Sequence, residues 1–176
     1  MTFQSAEPPT EPGDERTALV VTVSNRVSAG VYADTGGPIL VEGLQSMGFR
    51  ADGPTVVPDG DEVSVALQAA IDRGYDVVLT TGGTGITPGD LTPEMTAPLL
   101  TRELPGLAEA IRAHGRENGV PTASLSRGLA GVAGTTIIVN LPGSSGGCRD
   151  GIAVLSTVLP HAVDQVHGGD HRHSGS

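Results

Sequence analysis

Short apolar runs alternate along this chain with longer stretches in which apolar residues recur every three or four positions. The runs at 18–23, 55–57, 77–79 and 135–140 are rich in Val, Ile, Leu and Thr. Continuous runs of this kind fit strands buried on both faces. Between them, Leu40, Gly43, Leu44 and Met47 repeat at helical spacing, with Pro38 near the first turn and Gly48 at the end. Val63, Leu67, Ala70 and Ile71 mark a second amphipathic helix closed by Gly74. Helical segments follow at 93–103 and 105–118, and Ile152, Leu155, Leu159, Ala162 and Val163 define the last one. Strands alternating with helices predict βαβ units, a mostly parallel sheet and right-handed crossovers in a single α/β domain over 17–166. In such a sheet ligands gather beyond the carboxyl ends of the strands. Each polar loop here follows a predicted strand, so four of them are expected along one edge.

Composition narrows the picture. At 176 residues the chain suits one domain with a sizeable core. With no Trp, two Tyr and two Phe, that core must be aliphatic, and base stacking on an aromatic platform is disfavoured. The formal net charge of −10 works against nucleic acid or an anionic membrane as partner. A small anion is still admissible, because local N–H groups and a cation outweigh a distant field. The single cysteine, Cys148, leaves no internal disulfide, and no apolar run reaches membrane-spanning length. The N-terminus lacks the basic-then-apolar order of a signal peptide, so the expectation is a cytoplasmic protein. Residues 1–16 and 167–176 are polar and read as disordered arms; in the second, His171 and His173 are better read as solvated than as a metal pair.

The candidate chemistry centres on 81–94. Gly82, Gly83 and Gly85 follow the third strand and remove Cβ atoms where the backbone must turn or approach a ligand. Unpaired N–H groups in such a loop cradle phosphate oxygens. No Gly-Lys-Ser/Thr follows, and the spacing is not that of a dinucleotide fingerprint. Thr92-Pro93-Glu94 combines an N-cap hydroxyl, an early proline and a first-turn acid, so a helix is predicted to start there, just after Asp90. Asp90 reads equally as a turn residue and as a functional carboxylate, and Asp59 alone reads better as part of an acidic helix start. Together, two carboxylates at strand ends suit Mg²⁺ held against phosphate oxygens. Arg127, beside Ser126, has the shape of a bidentate phosphate clamp, although a surface arginine is the commoner case. The small-residue turn 142–147 precedes a helix and offers further N–H groups, while Cys148 reads as a packed small side chain. His114 and His161 have no ligand-like spacing.

In order along the chain stand Thr22-Val-Ser-Asn-Arg-Val-Ser-Ala-Gly30 with Asp34-Thr-Gly-Gly-Pro38, Val57-Pro-Asp59, Thr81-Gly-Gly-Thr-Gly85 with Asp90-Leu-Thr-Pro-Glu94, Glu103-Leu-Pro-Gly106, Ser126-Arg127 with Ala130-Gly131, and Asn140-Leu-Pro-Gly-Ser144. This series resembles the molybdopterin adenylyltransferase family, the Mog/MoaB type of molybdenum-cofactor biosynthesis protein, over about 18–163. The resemblance implies a three-layer α/β/α fold, usually as a homotrimer. It also implies transfer of AMP from Mg-ATP to the terminal phosphate of molybdopterin, with the downstream molybdenum-insertion protein as a partner. On that basis Asp59 and Asp90 are the catalytic and Mg²⁺-positioning carboxylates. Thr81, Gly82, Gly83, Thr84 and Gly85 would hold phosphate, with Thr92 and Glu94 completing that loop. Ser126, Arg127, Asn140, Pro142, Gly143 and Ser144 would form the pterin pocket. The chain has Gly89 where many members carry a basic residue and Asn25 where many carry Asp, and 142–149 looks closer to the MoaB branch. Two further readings therefore stand open: a pterin-binding or scaffold protein without transfer, and a hydrolase of nucleotide derivatives on a related fold.

Overall fold

The computed structural model describes residues 15–169. Among these, six strands form one sheet: β1 (Thr17–Val23), β2 (Arg50–Val57), β3 (Val77–Thr81), β4 (Arg102–Glu103), β5 (Ala130–Ala133) and β6 (Thr136–Leu141), in the order β2-β1-β3-β6-β5-β4. The first four in that order run parallel, whereas β5 and β4 are added antiparallel. The helices are α1 (Asn25–Ser28), α2 (Gly36–Ser46), α3 (Asp61–Asp72), α4 (Thr92–Thr96), α5 (Pro105–Glu117) and α6 (Ser145–Val166).

Side chains alternate across the strands and so split the apolar set into two cores. Val20, Leu79, Ile137 and Val139 face α2, α5 and α6 through Leu40, Leu44, Ile111, Leu155 and Leu159. Val21, Val78 and Ile138 face the other way and pack against Val63, Leu67 and Ala70 of α3. Helices therefore cover both faces of the sheet, as the apolar runs predict, in three layers. No described helix is long and apolar enough to cross a membrane.

Several elements differ from their sequence-based expectations. The segment 93–103 is not one helix: α4 is short, Ala97–Leu99 forms a 3-10 turn, and β4 follows. Pro98 contributes no N–H to a continuing helix, which favours the break. The small-residue stretch 128–134, which reads as flexible, contains the fully buried strand β5. β2 starts at Arg50 rather than 55, and its register with β1 slips between Leu19 and Val21. Pro54 is tolerated because β2 lies at the sheet edge. The last helix begins at Ser145, so its first turn takes up part of the small-residue stretch 142–147 that reads as a turn ahead of it.

The predicted arms lie mostly outside the described residues, including His171 and His173. Within them, the Arg16 guanidinium is 2.6 Å from Asp164 Oδ1, and His167 Nε2 is 2.7 Å from Asp76 Oδ1.

Candidate functional site

The register of the parallel strands decides where the site lies. Thr22 of β1 is level with Thr81 of β3, which is level with Leu141 of β6, while Val23 is level with Val57 of β2. Their four following loops emerge at one edge, around the β1/β3 pair from which the chain winds outward in both directions. The loops are bonded to one another. Ser24 N–H donates to Val57 O at 2.9 Å, and Gly82 N–H to Leu141 O at 3.1 Å. The Thr81 hydroxyl donates to Pro142 O at 2.8 Å.

Two glycines make the central loop possible. Gly82 has φ +99°, and a Cβ there would stand 2.1 Å from Val23 O. Gly83 has φ +66°, and its Cβ would stand 2.2 Å from Thr92 Oγ1 and 2.7 Å from Asp59 Oδ1. The loop thus folds back against the Asp59 carboxylate. Thr92 secures that fold, but not as an N-cap. It is the first residue of α4 and is fully buried; its hydroxyl donates to Gly82 O at 3.0 Å and its N–H to Gly83 O at 3.1 Å.

The two carboxylates have different surroundings. Asp59 sits in the loop between β2 and α3, and its N–H donates to Asn25 Oδ1 at 2.9 Å. Its Oδ1 is buried without any hydrogen-bond partner. Burial, then the negative charge of Asp90, raise its pKa above the usual aspartate value. A neutral Asn25 at this contact avoids adding another negative neighbour. Asp90 closes a turn, its Oδ2 accepting from the Thr87 N–H at 3.0 Å and the Thr87 hydroxyl at 2.6 Å. An orphaned buried oxygen beside a second carboxylate suits a hard cation. No group of three or more His, Cys, Asp or Glu among the described residues could hold a metal, so Mg²⁺ would take its remaining ligands from phosphate and water.

Arg127 is placed as a brace. Its Nε donates to Gly85 O at 2.8 Å, its Nη2 to Asp90 O at 2.7 Å, and its Nη1 to Glu94 Oε1. Those contacts bind the two ends of the loop to the start of α4, and the hydrogen bond from Arg127 holds the Glu94 carboxyl below its usual range. The Asn140 side chain is similarly engaged, accepting from Leu129 N–H and donating to the hydroxyls of Thr80 and Thr96. Ser144 Oγ caps α6 by accepting from Gly147 N–H at 3.0 Å. Cys148 is buried below the loop, 3.2 Å from Thr81 Oγ1; burial pushes its thiol up, which suits packing rather than attack.

Next to the loop opens a cavity of about 530 Å³. Gly83, Thr84, Gly85, Asp90, Ser126, Asn140, Pro142, Gly143 and Ser144 all line it. Thr81, Gly82, Asp59, Thr92, Glu94 and Arg127 are not part of this lining, and of them Thr92 and Arg127 brace the loop that is. The opposite wall consists of Ala108, Ile111 and Arg112 of α5, the segment carrying Val120, Ala123 and Leu125, and Asp150 of α6. Sequence reasoning missed that wall. The periodicity of α5 was legible, but Ala108 and Ile111 look the same whether a helix face meets a core or a cavity. One end of the cavity therefore offers a polar, anion-receiving loop, and the other wall is largely aliphatic.

The chain matches the family model described as "probable molybdopterin binding domain" over residues 19–161. It is 39% identical over 157 residues to the molybdenum cofactor biosynthesis bifunctional protein of Chlorobaculum tepidum, covering 89% of this chain and 50% of that one. It is 36% identical over 148 residues to the molybdopterin adenylyltransferase of Pyrococcus furiosus, covering 82% and 87%. The solved structure of the molybdopterin biosynthesis Mog protein from Mycobacterium ulcerans is 51% identical, superposes with a TM-score of 0.82, and is matched over 86% of this chain and 99% of that one. Against the bifunctional proteins of Chlorobaculum tepidum and Synechococcus elongatus, the chain spans about half the length of the relative.

Proposed function

The chain belongs to the family of molybdopterin-binding domains of molybdenum-cofactor biosynthesis, and from that premise we propose that it transfers AMP from Mg-ATP to the terminal phosphate of molybdopterin, with pyrophosphate as the leaving group. The observation that carries this reading is the buried, unpartnered Oδ1 of Asp59 set against the Gly83 backbone and the Asp90 charge. A pair of carboxylates behind a glycine loop is what a metal–polyphosphate complex needs, and the names of the adenylyltransferase relatives supply the reaction.

Mg²⁺, when bound, would neutralise charge on the reacting phosphates, with Asp59 and Asp90 as its protein ligands. The attacking phosphate is already anionic, so no base is required to create the nucleophile. Positioning and charge neutralisation are the main tasks. Backbone N–H groups of 83–85 receive phosphate oxygens, and Thr92 holds the loop in the shape that presents them. Arg127 works through this loop by fixing the carbonyls of Gly85 and Asp90. The aliphatic wall of the cavity takes the pterin. A homotrimer belongs to the same proposal: Val31, Tyr32, Val56 and Val65 are exposed, and sedimentation should return three times the monomer mass.

Incubation of the purified protein with molybdopterin and Mg-ATP tests the reading, with adenylylated molybdopterin as the expected product. Asp59→Asn and Asp90→Asn should each lower turnover at least a hundredfold while changing pterin affinity little. Full turnover in both variants would remove the metal-positioning role. A second reading, pterin binding without transfer, is favoured by Gly89. No side chain is present there, and a Cβ built at Gly89 would meet nothing within 4 Å, so no basic group from this position reaches the phosphates. Tight molybdopterin binding without AMP transfer would establish it, and AMP release from nucleotide derivatives alone would point to a hydrolase.

A further inference from the structure

The far wall of the cavity carries one feature that phosphate transfer leaves without a role. Asp150, on the second turn of α6, lines the cavity with only 18% of its side chain exposed. Its Oδ1 is held by Asn118 Nδ2 at 2.7 Å and stands 3.8 Å from His114 Nε2. Its Oδ2 makes no hydrogen bond among the described residues and lies near Gly115 of α5, another cavity residue. The closest guanidinium in the wall is already engaged: Arg112 donates to Glu109, Ser126 O and Gly128 O. Its free lone pairs face the cavity beside Ala108, Ile111 and Val120, where a ligand bringing donors would replace water.

We infer that Asp150 is a specificity-determining residue that accepts hydrogen bonds from the amino-pyrimidinone edge of the pterin; this rests on the adenylyltransferase reading of the same cavity. The chemistry is selective. A pterin presents a 2-amino group beside the N3–H, two adjacent donors, and a carboxylate has about four lone-pair sites with which to receive them. Oδ1 has capacity beyond its bond from Asn118, and Oδ2 is available. Adenine presents a donor beside an acceptor on its Watson–Crick edge and fits this group less well. Geometry agrees with the assignment. Asp150 stands six residues beyond the cap Ser144, about 9 Å along the helix at ~1.5 Å per residue. Asp150 is thus set apart from Gly143 and Ser144 at the cap end of α6, which line the same cavity. Asn118 acts as the positioning partner, fixing the carboxylate from α5.

The test compares binding of pterin with binding of lumazine, its 2-oxo analogue, to the intact protein by titration calorimetry. Lumazine replaces the amino donor with an oxygen that the carboxylate repels. The wild-type protein should prefer pterin about tenfold or more, the effect of one charge-assisted hydrogen bond. Asp150→Asn should keep its melting temperature and ATP affinity but reduce that preference to within about twofold. Asn118→Ala, which leaves the carboxylate in place, should still prefer pterin. No preference in the wild type, an unchanged preference in Asp150→Asn, or its complete loss in Asn118→Ala would each overturn the assignment. Pterin preference without AMP transfer from Mg-ATP would instead sink the adenylyltransferase reading and leave the role of Asp150 standing.

Discussion

Asp59 shows how much one residue can carry at a cost to the fold. Its pKa is raised by burial first and by Asp90 second, so the folded protein binds a proton there more tightly than the unfolded chain does. The sign follows from linkage: stability falls as pH rises from the ordinary aspartate value through the raised one, because the charged form is the disfavoured one. Asp59→Asn should therefore melt at a higher temperature than the wild type at pH 7. That advantage should shrink as the pH is lowered through the carboxylate range, and thermal melts at pH 7 and pH 4 check it. Gly83 sets the other residue-scale limit. Alanine there must adopt a positive φ and push against both Thr92 Oγ1 and Asp59 Oδ1. Gly83→Ala should lose about 1–3 kcal/mol of stability in urea titration and most of its turnover.

At the scale of elements, the Gly loop, the start of α4 and the irregular segment 126–128 act as one unit, with Arg127 as its fastening. Two of its hydrogen bonds go to backbone carbonyls, and its ion pair with Glu94 is partly exposed. Exposed pairs contribute about 0–1 kcal/mol, whereas charged hydrogen bonds contribute about 1.5–3 kcal/mol. Arg127→Ala should thus destabilise the protein by about 2 kcal/mol and Glu94→Gln by well under 1 kcal/mol, measured by chemical denaturation. This unit also marks where sequence reading reached its limit. The motif 81–94 was visible as a phosphate loop. The hydroxyl of Thr92, expected to cap α4, donates instead to Gly82 O, since the loop folds back over it. β5 escaped notice because Ala130, Gly131 and Ala133 carry little β-propensity, and only pairing with β6 and β4 makes them a strand.

For the whole molecule, the central strand β3 ties together both cores and the site. Leu79 is fully buried on the larger core, two residues before Thr81. Leu79→Ala should cost about 2–5 kcal/mol, and its calorimetric melt should shift as one transition because a single sheet serves both layers. The sequence by itself determined the aliphatic two-faced sheet, the alternation of strands and helices, the glycine loop and the two aspartates. Each of these is written locally, in periodicity, turn chemistry or residue spacing. Only the tertiary structure decided the strand order, the antiparallel edge formed by β5 and β4, and the bracing role of Arg127. It alone set Asp59 Oδ1 against Gly83, and the wall of α5 and Asp150 against the phosphate loop. Those relations join residues tens of positions apart. They follow from register and packing rather than from local preference, which is why no stretch of the chain announces them.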